Sequence, residues 1–103
     1  MPVTLETFAA AARRGDEPPY LPPVLRALWL DGTGDWTRAH ELAGEIDGAD
    51  GARVHAYLHR KEGDLDNARY WYRQAGQRPF EGSLADEWAA LAREYLARSD
   101  GAG

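Results

Sequence analysis

The chain has 103 residues, a net charge of −5 and no cysteine, which fits a single domain. The absence of thiols excludes disulfides, thiolate nucleophiles and cysteine-ligated metals. The acidic balance argues against nucleic-acid binding, which requires a basic face. Glu6 stands where a signal peptide carries positive charge, and the apolar run 8–12 is too short to span a membrane. We therefore expect a cytoplasmic protein that binds neither nucleic acid nor membrane.

Helical spacing of apolar residues, together with capping signals, predicts an all-α chain of about six helices without strands. Thr4, Asp35, Asp64 and Ser83 are the predicted N-caps. Glycines and prolines break the chain between the helices, and the cluster of small residues at 47–51 is interpreted as one such break. The predicted helices lie at about 4–14, 22–30, 35–46, 52–62, 64–75 and 83–98.

One short motif occurs twice. Gly34-Asp35-Trp36-Thr37-Arg38-Ala39 recurs 29 positions later as Gly63-Asp64-Leu65-Asp66-Asn67-Ala68. In each copy the glycine favours the end of a helix, the aspartate caps the next helix, and the alanine lets two helices approach closely. The motif predicts two tandem helical hairpins, at about 20–48 and 49–79, with capping helices at about 4–14 and 83–98 that complete the core.

The second copy resembles a tetratricopeptide (TPR) repeat. Ala56, Gly63-Asp64-Leu65, Ala68, Tyr72 and Ala75 match that family's small and aromatic positions. The chain is also similar to a group of short bacterial proteins of unknown function that share the core His-Ala-Tyr-Leu-His-Arg-Lys-Glu-Gly-Asp. The resemblance implies a superhelix-like scaffold, and an irregular helical bundle with one duplicated hairpin is the alternative.

The TPR resemblance also implies that the first helix of each hairpin lines a concave, peptide-binding groove. Arg53, Tyr57, Arg60 and Lys61 fall on one broad face of helix four, and their charge suits an acidic segment or a C-terminal carboxylate. The leading hypothesis is therefore a non-enzymatic interaction module, without a cofactor, for an unidentified protein or peptide. An ordinary solvated helix face and a purely structural subunit of a larger assembly are alternatives.

Aromatic residues are concentrated on the predicted second helices. Trp36 and Tyr72 have the spacing of core residues, whereas Tyr70 and Trp71 cannot both face inward beside Tyr72. One of the two is therefore expected to be partly exposed or to meet helix six or a second subunit, and Trp71 joins the candidate peptide-binding residues. Surplus aromatic surface on a small domain is compatible with a homodimer.

A different class of function is suggested by His40, His55 and His59. His55 and His59 are four residues apart and share a helix face, and packing of helices three and four could bring His40 close to them. With Glu41 or Glu62 as a further ligand, the set predicts a site for zinc or another divalent transition metal. Half-buried histidines bonded to their neighbours are the alternative interpretation. Ala56 replaces the catalytic glutamate of the H-E-x-x-H motif, so no metalloprotease is predicted.

Overall fold

The computed structural model describes residues 4–18 and 20–101. This part of the chain forms six helices joined by turns and loops and contains no strand, which confirms the predicted all-α class. The helices are α1 (Leu5–Arg14), α2 (Pro23–Gly32), α3 (Trp36–Glu45), α4 (Gly48–Glu62), α5 (Leu65–Ala75) and α6 (Leu84–Gly101).

The duplicated motif forms two equivalent helix–turn–helix connections. Asp35 and Asp64 are the N-caps of α3 and α5, and each carboxylate accepts a hydrogen bond from the backbone N–H three residues later. Gly34 and Gly63 precede them with φ of 96° and 90°, a region that glycine enters without strain. As a result α2 packs on α3 and α4 packs on α5.

Small residues mark the crossing of α4 and α5. Ala56 and Ala68 are both buried, and together with Tyr72 they form a small apolar cluster that Trp71 and Phe80 cover. The main core lies elsewhere, between α1, α2, α3, α4 and α6. Phe8, Leu28 and Leu58 are among its largest fully buried side chains. Helices α1 and α6 therefore supply apolar surface that two hairpins alone lack.

Helix α4 begins four residues before the predicted start at Ala52, so the break between α3 and α4 is confined to 46–47 and is shorter than the predicted break at 47–51. Gly48 marks the start of the helix with a φ of 83°, whereas Gly51 lies within its first turn. A Cβ on Gly51 would lie 2.0 Å from the carbonyl oxygen of Ile46, so glycine is needed because the chain passes too close for any side chain. Helix α6 likewise continues past the predicted end at Arg98 to Gly101.

Candidate metal centre

Three histidines converge where α3 crosses α4. The Nε2 atom of His40 on α3 lies 3.1 Å from Nε2 of His55 and 3.4 Å from Nε2 of His59, both on α4. One ligand nitrogen from each ring lies within 4.8 Å of the other two. His55 and His59 are buried and His40 is half-buried. The three rings therefore meet in the structure, which the sequence left open.

Helix geometry and one close backbone approach produce this convergence. The four-residue spacing places His55 and His59 on adjacent turns of α4, with parallel rings whose centroids are 5.5 Å apart. Gly51 allows the first turn of α4 to lie against the carbonyl of Ile46 at the end of α3. Helix α3 packs against α4, and this packing brings His40 to the face that carries the other two rings.

Two tryptophans restrict the orientation of the imidazole rings. The Trp36 ring stacks on His40 with centroids 4.8 Å apart, and the Trp71 ring stacks on His55 at 4.2 Å. Trp36 is itself fixed because its indole N–H donates to the carbonyl oxygen of Leu58 at 2.9 Å. Rings held in this way lose little further conformational entropy when a ligand binds.

A carboxylate fixes the proton of one ring. Nδ1 of His59 lies 2.6 Å from Oε1 of Glu62, and because a carboxylate accepts, this contact assigns the proton to Nδ1. Nε2 of His59 then presents a bare lone pair to the cluster. Carboxylate–histidine pairs of this kind orient metal-binding imidazoles and raise their basicity. Glu62 is thus placed to orient a ligand and not to be one, whereas Glu41 is absent from the three-histidine group.

Burial favours the neutral form of His55 and His40. Burial, together with the smaller effects of the neighbouring His40 and His59, lowers the pKa of His55 to about 4. The pKa of His40 is also lowered, chiefly by burial and then by His59, while Glu62 and Glu41 oppose the shift. Neutral imidazole is the form that binds metal ions, so two of the three rings need not lose a proton near neutral pH.

The metal-free protein is expected to lose stability in mild acid. The unfolded chain takes up a proton on His55 near pH 6.5, whereas the folded chain resists it until about pH 4. The contribution of His55 to the free energy of unfolding is thus complete above pH 6.5 and decreases as the pH falls to 4. The decrease between pH 7 and pH 5 is about 2 kcal/mol. Urea unfolding at several pH values, with a chelator present, measures this loss of stability. His55→Gln should make the free energy of unfolding less dependent on pH. An equal slope in the variant would contradict the assignment.

The two nitrogen separations that involve His40 match a tetrahedral zinc ion. A Zn–N distance of about 2.0 to 2.1 Å places the nitrogens of two ligands about 3.3 to 3.4 Å apart, and the observed separations from His40 are 3.1 and 3.4 Å. No fourth side chain joins the three rings in the described part of the chain. One coordination position is therefore left for solvent, as at zinc sites that bind an exchangeable ligand.

Solvent reaches the cluster from one side. His55 and Trp71 line an open cavity of about 320 Å³ that also borders Gly44 and the α3–α4 turn. Such an opening provides the entry path that a metal site requires.

The chain matches no protein-family model, and neither the curated proteins nor the solved structures include a significant match to it. None of the helices in residues 4–18 and 20–101 is both long and apolar enough to cross a membrane. The assignment of a site therefore depends on the residues and their geometry.

The candidate peptide-binding residues of α4 make contacts within the chain. Arg53 donates to Glu94 of α6 at 2.5 Å, Arg60 donates to Glu87 of α6 at 2.9 Å, and Lys61 pairs with Asp31 of α2 at 2.9 Å. Helix α6 packs on both α2 and α4, over the predicted groove. The charges of this face are thus partnered within the molecule, and peptide binding there stays a prediction.

The aromatic candidates on and near α4 have separate surroundings. Tyr57 is buried, and its hydroxyl donates to Asp31 at 2.6 Å. Trp71 stacks on His55, and Tyr72 is buried, while Tyr70 is the partly exposed member of the α5 aromatics. The structure therefore joins Trp71 to the histidine cluster and not to the arginines of α4.

Sequence reasoning did not identify the two buried carboxylates, Asp31 and Glu87. They are 2% and 3% exposed, and each is bonded to a tyrosine and to a cation of α4. In the sequence both occupy ordinary positions, at a helix end and in a first helical turn, where acidic residues are common without special roles. Only the packing of α4 against α2, α5 and α6 distinguishes them.

Proposed function

We propose that this protein binds one divalent transition-metal ion, zinc in the first instance, through His40, His55 and His59. The observation that carries the proposal is the agreement between the Nε2 separations at His40, 3.1 and 3.4 Å, and the edge of a zinc-centred tetrahedron. Imidazole ligands suit zinc, copper and nickel, and the absence of cysteine from the chain disfavours soft metals that select sulfur.

The apo arrangement of the rings supports the proposal. Three nitrogens that face one another share too few protons for every pair to be hydrogen-bonded, and the lone pair of His59 is directed inward by Glu62. An ion that accepts all three lone pairs satisfies the cluster completely. With water in the fourth position, zinc would supply Lewis acidity and lower the pKa of that water.

Zinc is expected to bind at one ion per chain and to stabilise the folded protein. At a free concentration about 100 times Kd, the stabilisation is about 2.7 kcal/mol, or an increase in Tm of roughly 10 to 20 °C. Titration calorimetry and thermal unfolding of tag-free, chelator-treated protein measure stoichiometry and Tm. His40→Ala and His59→Ala should each abolish the response. A Tm that ignores added zinc would rule the site out.

A matched pair of variants tests the role of Glu62. Glu62→Gln removes the charge that orients His59 and is expected to weaken zinc binding 10- to 100-fold. Glu45→Gln changes an exposed carboxylate at the end of α3, outside the grouped metal-binding side chains, and is expected to leave the affinity unchanged. Equal losses in both variants would point to a general charge effect and not to the hydrogen bond.

A protein-interaction role remains a second proposal. The exposed apolar side chains Leu65 and Tyr70 on α5 are the observation that favours it. A peptide on the α4 face would have to displace Glu94 and Glu87 from Arg53 and Arg60, so α5 is the better surface. The TPR resemblance, the cytoplasmic location and the homodimer stay predictions.

A further inference from the structure

An open cleft of about 340 Å³ lies between α1, the end of α2, α4 and α6, and it shares no lining residue with the histidine cluster. Its volume is at the lower end of the range for small-molecule sites. The apolar part of the lining consists of Ala9, Ala12, Leu84, Ala85 and Trp88. The walls therefore suit a compact apolar group about the size of one aromatic ring.

The apolar wall is rigid before any ligand arrives. The indole N–H of Trp88 donates to the carbonyl oxygen of Leu28 at 2.9 Å, and its ring stacks on Phe8 with centroids 5.6 Å apart. At the base of the cleft, a Cβ on Gly32 would lie 2.8 Å from Cβ of Ala12, so the helices are already in close contact there. A preformed surface of this kind lowers the entropy lost on binding.

The polar part of the lining carries one compensated negative charge and two cations. Asp31 is 2% exposed, and it accepts from the hydroxyl of Tyr57 at 2.6 Å and from Nζ of Lys61 at 2.9 Å. Lys61 is partly exposed and has two further N–H donors. Arg13 is exposed and has no carboxylate within ion-pair distance among the described residues. The formal charge of the lining is thus +1.

We infer that this cleft binds a small organic monocarboxylate with an apolar, ring-sized body. The carboxylate pairs with Arg13 and with the free donors of Lys61, and the apolar body lies against Trp88. A singly charged anion neutralises the lining, and the compensated Asp31 holds Lys61 in position. The inference is independent of metal binding.

The probe is phenylacetate, and phenylacetamide is its uncharged isostere. In ¹⁵N NMR titrations phenylacetate is expected to shift the indole signal of Trp88 with a Kd on the order of 1 mM. Phenylacetamide should bind at least about tenfold more weakly, because it lacks the charge-assisted contacts. Equal affinities for acid and amide, or no shift with about 20 mM phenylacetate, would overturn the inference.

Substitutions locate the site. Arg13→Gln, on an exposed position, is expected to weaken phenylacetate binding about tenfold without changing Tm. Ala85→Phe places a ring in the cleft from an exposed position of α6 and should abolish binding. Arg73→Gln on α5, outside the cleft, is the charge-matched control and should bind as the unaltered protein does. Unchanged affinity in both Arg13→Gln and Ala85→Phe would show that phenylacetate binds elsewhere.

Discussion

Replacing Gly51 by alanine is expected to destabilise the protein by at least about 3 kcal/mol and to lower its Tm by at least about 12 °C. The added Cβ would lie 2.0 Å from the carbonyl oxygen of Ile46 and 3.0 Å from Cβ of the same residue. A backbone oxygen cannot rotate away as a side chain does, so α3 and the first turn of α4 must move apart. Far-UV circular dichroism during heating measures the change.

The same substitution is expected to weaken zinc binding, because His40 is carried by α3 and its two partners by α4. Titration calorimetry below the lowered Tm separates this effect from unfolding. Full affinity in folded Gly51→Ala protein would mean that the close approach at Ile46 does not set the position of the rings.

Gly44→Ala is the matched control. Gly44 lies inside α3, and a Cβ there would meet only Cε1 of His55, at an ordinary contact distance of 3.6 Å. Alanine in a helix interior is favoured over glycine by roughly 0.5 to 1 kcal/mol, so this variant should be as stable as the unaltered protein or more so. A loss similar to that of Gly51→Ala would show that the region tolerates no added volume.

The contrast between these glycines shows what sequence patterns convey. Gly34 and Gly63 follow apolar helical segments and precede a capping aspartate, so local chemistry alone predicts the turns in which they occur. Gly51 has no such local signal. It lies in the first turn of a helix, and its role depends on how closely the backbone folds back on Ile46, which the residue types do not specify. The break predicted at 47–51 is therefore shorter in the structure, whereas the turns at Gly34 and Gly63 form where local chemistry places them.

The candidate site was predictable to a similar extent. The spacing of His55 and His59 reveals a shared helix face, and hairpin packing brings His40 within reach. The stacked tryptophans and the hydrogen bond from His59 to Glu62 depend on side-chain rotamers that a sequence pattern does not specify. For the charged residues of α4, the sequence pattern indicated a ligand-binding face, because nothing in the sequence pattern places α6 over that face.

The pairing of Arg60 with Glu87 yields the second large effect. Glu87 is 3% exposed, and its carboxylate accepts from Arg60 of α4 at 2.9 Å and from the hydroxyl of Tyr72 of α5 at 2.5 Å. Arg60 also donates to the carbonyl oxygen of Gly82, in the segment that leads into α6. One carboxylate thus joins α6 to both helices of the second hairpin.

Glu87→Ala is expected to destabilise the protein by about 3 to 5 kcal/mol, because it leaves a largely buried guanidinium without its carboxylate and a buried hydroxyl without its acceptor. Urea unfolding measures the loss. Asp66→Ala, which removes the exposed partner of Arg69, should cost less than about 1 kcal/mol. This control separates the effect of losing a buried ion pair from the effect of losing an exposed one.

The double variant Arg60→Met/Glu87→Met decides whether the large loss comes from the stranded charge. Replacing both members of a buried pair by apolar side chains of similar length is often close to neutral, so the double variant should recover most of the stability that Glu87→Ala loses. The hydroxyl of Tyr72 still loses its acceptor, which leaves a residual cost of about 1 to 3 kcal/mol. If the double variant is no more stable than Glu87→Ala, the carboxylate stabilises the protein through Tyr72 and packing. The charge of Glu87 then does not hold Arg60 in place on the α4 face where a ligand was predicted.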